Sequence, residues 1–252
     1  MGKVRQGIVI TGASSGLGRE MARQFAAMGR DLALCARRTD RLDALKSELE
    51  LAYPAIRVYV RALDVNDHEQ VFAVFNGFRQ DFGGTIDRVI VNAGMGKGAS
   101  VGTGHFEANK QTAITNFVSA LAQCEAALAI FRAQNAGHLV TISSVSAVRG
   151  FRRALTVYAA TKAALTSLSE GMRVDLLGTP ITVTTVHPGF IRSEINGQVE
   201  KMPFIVDTET GCRAMVRAIE KEGANVYVPA WPWALVQGLL RCLPLSQLRR
   251  FS

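Results

Sequence analysis

The stretch that most restricts how this chain can fold lies near its start. Residues 4–10 form a β-branched apolar run, which reads as a buried strand. Thr11-Gly12-Ala13-Ser14-Ser15-Gly16-Leu17-Gly18 follows, and then residues 20–28 with helical character and Gly29 as a stop. Strand, glycine loop and helix together are the setting of a dinucleotide site. Glycines let the backbone approach phosphates, and a helix amino terminus offers unpaired N–H groups and a positive dipole end. The spacing is Gly-x-x-x-Gly-x-Gly rather than the commoner G-x-G-x-x-G, so the flanking elements carry the reading.

Strands and helices alternate from there on. Residues 31–36 are expected as a strand, completing a β-α-β unit, with Arg37 and Arg38 at its end. An acid there would accept from a ribose 2′-OH, whereas guanidinium suits a 2′-phosphate, which favours NADP(H) over NAD(H). A helix is expected to about residue 51 and a strand over 56–60, before Leu63-Asp64-Val65. Asp64 is either a cofactor contact, accepting from an adenine amino group, or the cap of a helix over residues 66–82. The strand over 86–91 ends in Asn92-Ala93-Gly94, small enough to let a cofactor ribose pass close to the backbone. A long helix over 106–134 contains Asn116, and a strand over 138–142 leads to Ser143-Ser144. A helix to about 177, a strand over 180–186 and an irregular loop over 187–193 follow, then a helix over 207–222 and a strand over 226–228. Such alternation implies an α/β fold, a doubly wound parallel sheet with helices on both faces, in one domain.

Within the helix after Ser144, Tyr158-Ala159-Ala160-Thr161-Lys162 places a phenol and an ammonium on one face. Tyrosine is a poor acid-base catalyst at neutral pH because its ordinary pKa is about 10. A neighbouring cation favours phenolate, which would poise the pair for a carbonyl or an alcohol.

Composition narrows the function classes. With 252 residues the chain buries enough surface to need no disulfide or metal staple. Hydrophobic content of 48% and charged content of 20% exclude disorder. Cys35, Cys124, Cys212 and Cys242 are widely spaced, so a reducing compartment is expected. No signal peptide and no run of 18 apolar residues is seen, which points to a cytoplasmic protein. The net charge of +8 comes without a nucleic-acid motif, so no nucleic-acid partner is expected. His68, His105 and His138 lack ligand spacing, so no metal site is expected, and His187 reads as a strand-end residue rather than a catalyst.

Residues 229–252 form an apolar and basic segment appended to the domain of residues 1–228. Trp231, Trp233, Leu235, Val236, Leu239, Leu240 and Leu243 precede Arg249, Arg250 and Phe251. The segment either closes over a substrate pocket, packs on a partner subunit, or lies in a membrane interface.

Thr11-Gly12-x-x-x-Gly16-x-Gly18, Asn92-Ala93-Gly94, Asn116, Ser144, Tyr158-x-x-x-Lys162 and Pro188-Gly189 occur in this order over nearly the whole chain. As a set they resemble the short-chain dehydrogenase/reductase family in its single-domain form. The resemblance implies a Rossmann-like sheet of about seven strands. It implies Tyr158 as acid/base, Ser144 as the hydroxyl that orients the carbonyl, Lys162 on the nicotinamide ribose, and Asn116 holding a proton-relay water. Cofactor contacts are implied from Gly12, Ser14, Ser15, Gly16, Leu17, Gly18, Arg37, Arg38, Asp64, Val65, Asn92, Ala93, Gly94, Tyr158, Lys162, Pro188, Gly189, Ile191 and Ser193. Ser144 precedes Tyr158 by 14 residues where the family commonly has 13, which leaves Ser143 and Ser146 as alternatives.

The expected activity is NADP(H)-dependent interconversion of a small carbonyl and an alcohol, on a lipid-like, steroid-like or other apolar substrate. A 3-oxoacyl thioester, with Arg149, Arg152 and Arg153 meeting an acidic carrier, and a non-catalytic NADP(H) sensor are the alternatives. The resemblance suggests a homodimer or homotetramer paired through the long helices.

Overall fold

The computed structural model describes residues 4–192 and 204–251. Seven strands form one parallel sheet: β1 (Gly7–Thr11), β2 (Asp31–Ala36), β3 (Val58–Ala62), β4 (Arg88–Val91), β5 (Gly137–Ile142), β6 (Ile181–Pro188) and β7 (Asn225–Val228). Their order across the sheet is β3-β2-β1-β4-β5-β6-β7. The direction of strand addition reverses between β1 and β4, the switch point where open α/β sheets hold their ligands.

The helices are α1 (Gly16–Ala27), α2 (Thr39–Ala52), α3 (His68–Asp81), α4 (Phe106–Ala113), α5 (Ser119–Gln134), α6 (Leu155–Asp175), α7 (Thr208–Glu220), α8 (Ala230–Cys242) and α9 (Leu245–Phe251). The strands explain the layering. Ile8, Ile10, Leu32 and Leu34 face one core with Met21, Phe25, Leu42, Leu45 and Met215. Val9, Ala33 and Cys35 face the other with Phe75, Phe78, Phe131 and Leu165. Successive residues point to opposite faces, so a strand covered on both sides is apolar throughout. Each large side chain buried this way contributes about 1.5–3 kcal/mol.

At the amino edge of the sheet lies a buried polar network. Arg88 is 1% exposed. Its Nε donates to His138 Nδ1 at 2.8 Å, and its guanidinium pairs with Glu220. Glu222 receives Arg5 at 2.8 Å and the Thr182 hydroxyl at 2.7 Å.

Several expectations are corrected. The helix over 106–134 runs unbroken but contains a π-helical turn, Ile114–Val118, between α4 and α5. By length and composition Phe106–Gln134 could cross a membrane, but 67% of its most apolar window is buried in the fold. β6 runs on through His187 and Pro188, because its register with β7 continues to Val228. The first helix begins inside the glycine loop at Gly16, and the loop after Ser144 contains a short 3₁₀ turn, Val145–Val148. Residue 64 does not cap α3. Asp67 does, accepting from Gln70 N–H at 3.0 Å.

Candidate active site

All seven strands deliver their carboxyl ends to one edge of the sheet, and the loops there carry the residues singled out above. Gly12 has φ +66°, and a Cβ on it would sit 2.9 Å from Ala93 Cα. A Cβ on Gly18 would lie 2.5 Å from the Gly12 carbonyl oxygen. The loop therefore needs glycine at both positions to press against the 92–94 turn and the start of α1. The Thr11 hydroxyl accepts from the N–H groups of Asn92 (3.0 Å) and Ala93 (3.1 Å), and Asn92 Nδ2 donates to the Thr11 carbonyl at 2.9 Å. Ser15 is extended at the N-cap of α1, its side chain caps no N–H of that helix, and the first turn has no acid. Uncapped N–H groups and a positive dipole end beside a floor of small residues fit the pyrophosphate of a dinucleotide.

At the end of β2 the Arg38 guanidinium donates to the hydroxyls of Ser14 at 3.2 Å and Ser15 at 2.7 Å. Arg37 is exposed beside it. Asp64 accepts from Asn66 N–H at 3.0 Å in a local turn, while Val65 is buried in the core beneath.

Ser144 follows β5 at the N-cap of the 3₁₀ turn, Tyr158 lies one turn into α6, and the Ser144 hydroxyl acts to lower the Tyr158 pKa. The Ser146 hydroxyl donates to Ser144 Oγ at 2.8 Å and so supports it. Ser143 is turned the other way, to the Lys162 carbonyl (3.0 Å) and the Thr166 hydroxyl (2.8 Å). Of the three serines, Ser144 is the one whose hydroxyl bears on the Tyr158 pKa. Lys162 is buried, with Nζ 2.7 Å from the Ile142 carbonyl and 5.8 Å from the centre of the Tyr158 ring. Burial pushes the Lys162 ammonium down to about 8. Burial also pushes the Tyr158 phenol above its usual value, against the opposing hydrogen bond from Ser144. In the protein alone desolvation outweighs the neighbouring ammonium, which is tied to the Ile142 carbonyl.

Asn116 occupies the π turn at 1% exposure, so it is not on a solvated helix face. Its amide makes a reciprocal pair with the Met95 backbone, both bonds at 2.8 Å, and Nδ2 lies 3.3 Å from the Thr161 hydroxyl. A Cβ on Gly94 would lie 3.2 Å from Asn116 Oδ1 and 3.7 Å from Lys162 Nζ, so the three meet at one point. Asn66, not anticipated from the sequence, anchors this turn by accepting from Thr115 (3.1 Å) and Ser119 (2.8 Å).

Gly189 and Phe190 leave β6 towards Ile191, which is buried and bridges Val206. Ser193 lies outside the described residues. The Trp233 indole, 3% exposed, covers Gly189 so closely that any Cβ there would overlap it. Phe190 meets the same ring edge-on at 5.2 Å. Arg149 donates to the carbonyls of Leu240 and Leu243, both at 2.6 Å, and so closes the carboxyl end of α8. The seating of Trp233 on Gly189 and the capping role of Arg149 escaped sequence reading because each makes contacts across a wide sequence gap. His187 is buried, stacks on Tyr227 at 4.6 Å and lies 3.3 Å from the Ser144 carbonyl, which suits a packed strand end. Among the described residues no group of three or more His, Cys, Asp or Glu could hold a metal ion.

Residues 6–203 match the family model described as short chain dehydrogenase. The chain belongs to this family. An uncharacterized oxidoreductase of Mycobacterium tuberculosis is 53% identical over 251 residues, covering 100% of this chain and 99% of that protein. The 11-beta-hydroxysteroid dehydrogenase 1A of Arabidopsis thaliana is 33% identical over 89% of this chain and 68% of its own. Among solved structures, a short-chain dehydrogenase from Sphingobium yanoikuyae in complex with NADPH superposes with a TM-score of 0.79 at 28% identity, covering 96% and 98% of the two chains. This short-chain dehydrogenase is thus an oxidoreductase on a Rossmann-like fold, of a family that uses nicotinamide cofactors.

Proposed function

We propose that this short-chain dehydrogenase is an NADP(H)-dependent carbonyl reductase, interconverting an apolar ketone or aldehyde and its alcohol. The convergence of Tyr158, Ser144, Lys162 and Asn116 beside the glycine loop carries the reading. Bound NADPH supplies hydride to the carbonyl carbon. Ser144 and Tyr158 donate to the carbonyl oxygen, where negative charge grows. A phenol held protonated by burial is the form that gives up a proton in reduction. Lys162 and the backbone from Pro188 to Ile191 would hold the nicotinamide ribose and carboxamide, and the turn fixed by Asn116 would position a relay water. Arg37 and Arg38 take the 2′-phosphate, which the hydroxyls of Ser14 and Ser15 support by orienting Arg38.

An apolar substrate is supported by the aromatic clasp of Phe190 and Trp233 and by the steroid dehydrogenase among the relatives. An apolar trough of about 370 Å³ lined by Ala113, Phe117, Val118, Val157 and Ala160 supports a homodimer paired across α6. A peripheral membrane contact through residues 231–252 is supported by exposed Trp231, Leu235 and Leu239 on the outer side of α8.

Tyr158→Phe tests the central claim. NADPH oxidation against a panel of ketones and aldehydes should fall at least about a hundredfold, the scale of general acid catalysis, with NADPH affinity kept. A variant retaining a tenth of wild-type turnover would remove Tyr158 from the role of acid.

A further inference from the structure

We infer that the groove between the 150–153 segment and α9 binds the acidic head of an amphiphile. It is an outer subsite for a substrate whose apolar part reaches toward Tyr158. This rests on the reductase reading and narrows its substrate class.

The groove measures about 610 Å³ and is open to solvent. One wall is Gly150, Phe151, Arg152 and Arg153, the chain that runs from the Ser144 turn into α6. The other wall is Leu245, Leu248 and Arg249 of α9. Three guanidinium groups thus surround an apolar floor of Phe151, Leu245 and Leu248, and no acid lines the groove. Arg152 Nη1 donates to the Arg249 carbonyl at 3.3 Å, an exposed bond across the groove. Leu245 is 75% exposed, so the floor is open to a ligand chain. Arg149 takes no part, being engaged with the end of α8. Planar guanidinium groups match carboxylate and phosphate oxygens in bidentate fashion, and an apolar floor accepts an alkyl chain. Arg153 lies just before α6, whose first turn carries Tyr158.

The test is calorimetric binding by the full chain, free of turnover, with laurate, dodecyl phosphate and uncharged dodecanol at low salt. Both anions should bind about tenfold or more tightly than dodecanol. Arg152→Gln with Arg153→Gln should abolish that advantage and leave dodecanol affinity unchanged, and 0.5 M salt should mimic the double variant. The tighter of the two anions identifies the head group as carboxylate or phosphate. Equal binding of all three ligands, or an anion preference intact in the double variant, would overturn the assignment. If the double variant melts differently from wild type, Arg249→Gln replaces it with the same two outcomes. Tyr158→Phe should bind the anions as wild type does. Failure of the reductase reading shows up separately, as no NADPH oxidation with any carbonyl.

Discussion

Burial at the candidate site sets charge states that an exposed Tyr-Lys pair would not have. Lys162 is held down to about 8, so it loses its charge as pH rises through that value. NADPH affinity should therefore weaken above about pH 8, and Lys162→Arg, which stays charged, should lose that step in a titration of cofactor fluorescence. At the end of β2 the Arg38 guanidinium is oriented by Ser14 and Ser15. Arg38→Asp should weaken NADPH by roughly tenfold to a hundredfold, the worth of hydrogen bonds to a charged group, and leave NADH nearly unchanged. Equal losses for both cofactors would show that Arg38 does not read the 2′-phosphate. The sequence revealed these residues because short motifs keep reactive side chains in fixed local spacing. It could not reveal Asn66 or Trp233, whose roles exist only once distant segments meet.

Among the elements, α8 departs furthest from the usual surface helix. Its inner side carries Pro232, Trp233 and Gln237, the last accepting from the Tyr227 hydroxyl at 2.8 Å. Trp231, Leu235 and Leu239 face outward at 74, 65 and 62% exposure. No acid occurs after Glu222, while Arg241, Arg249 and Arg250 follow it. An apolar outer stripe with only basic neighbours suits an anionic bilayer interface. Leu235→Ser with Leu239→Ser should cut co-sedimentation with phosphatidylserine vesicles by at least about tenfold, each buried leucine being worth about 1.5–3 kcal/mol. Loss of self-association instead, with no vesicle binding by wild type, would assign the stripe to a second copy of the chain. Strand and helix types were legible up to residue 228, since both periodicities are written in the apolar positions, while the segment holding α8 and α9 was left open. The π turn at Ile114–Val118 was not, because packing on Asn66 and Met95 decides it rather than local propensity.

Taken whole, the molecule keeps chemistry and stability at opposite edges of one sheet. The carboxyl edge gathers glycines, uncapped N–H groups and a buried lysine; the amino edge is fastened by Arg88, His138, Glu220 and Glu222. His138 is pushed down to about 3, chiefly by burial and then by Arg88. Its unfolded value is about 6.5. As pH falls below that value the unfolded chain takes up the proton first, so stability is full above about 6.5 and drains away toward 3. Glu222, held at about 2, extends the loss to lower pH. The melting temperature should drop by about 5–10 °C between pH 7 and pH 4.5. His138→Gln, which can still accept from Arg88 and donate to Thr184, should flatten that slope. A profile unchanged by the substitution would exclude His138 as its source. The Arg149 bridge to the end of α8 bears on how the protein is handled. It ties the loop between Ser144 and Tyr158 to the last helices, so trimming the carboxyl terminus or fusing a purification tag there would disturb catalysis from a distance. An amino-terminal tag, at the far edge of the sheet, leaves that clasp untouched.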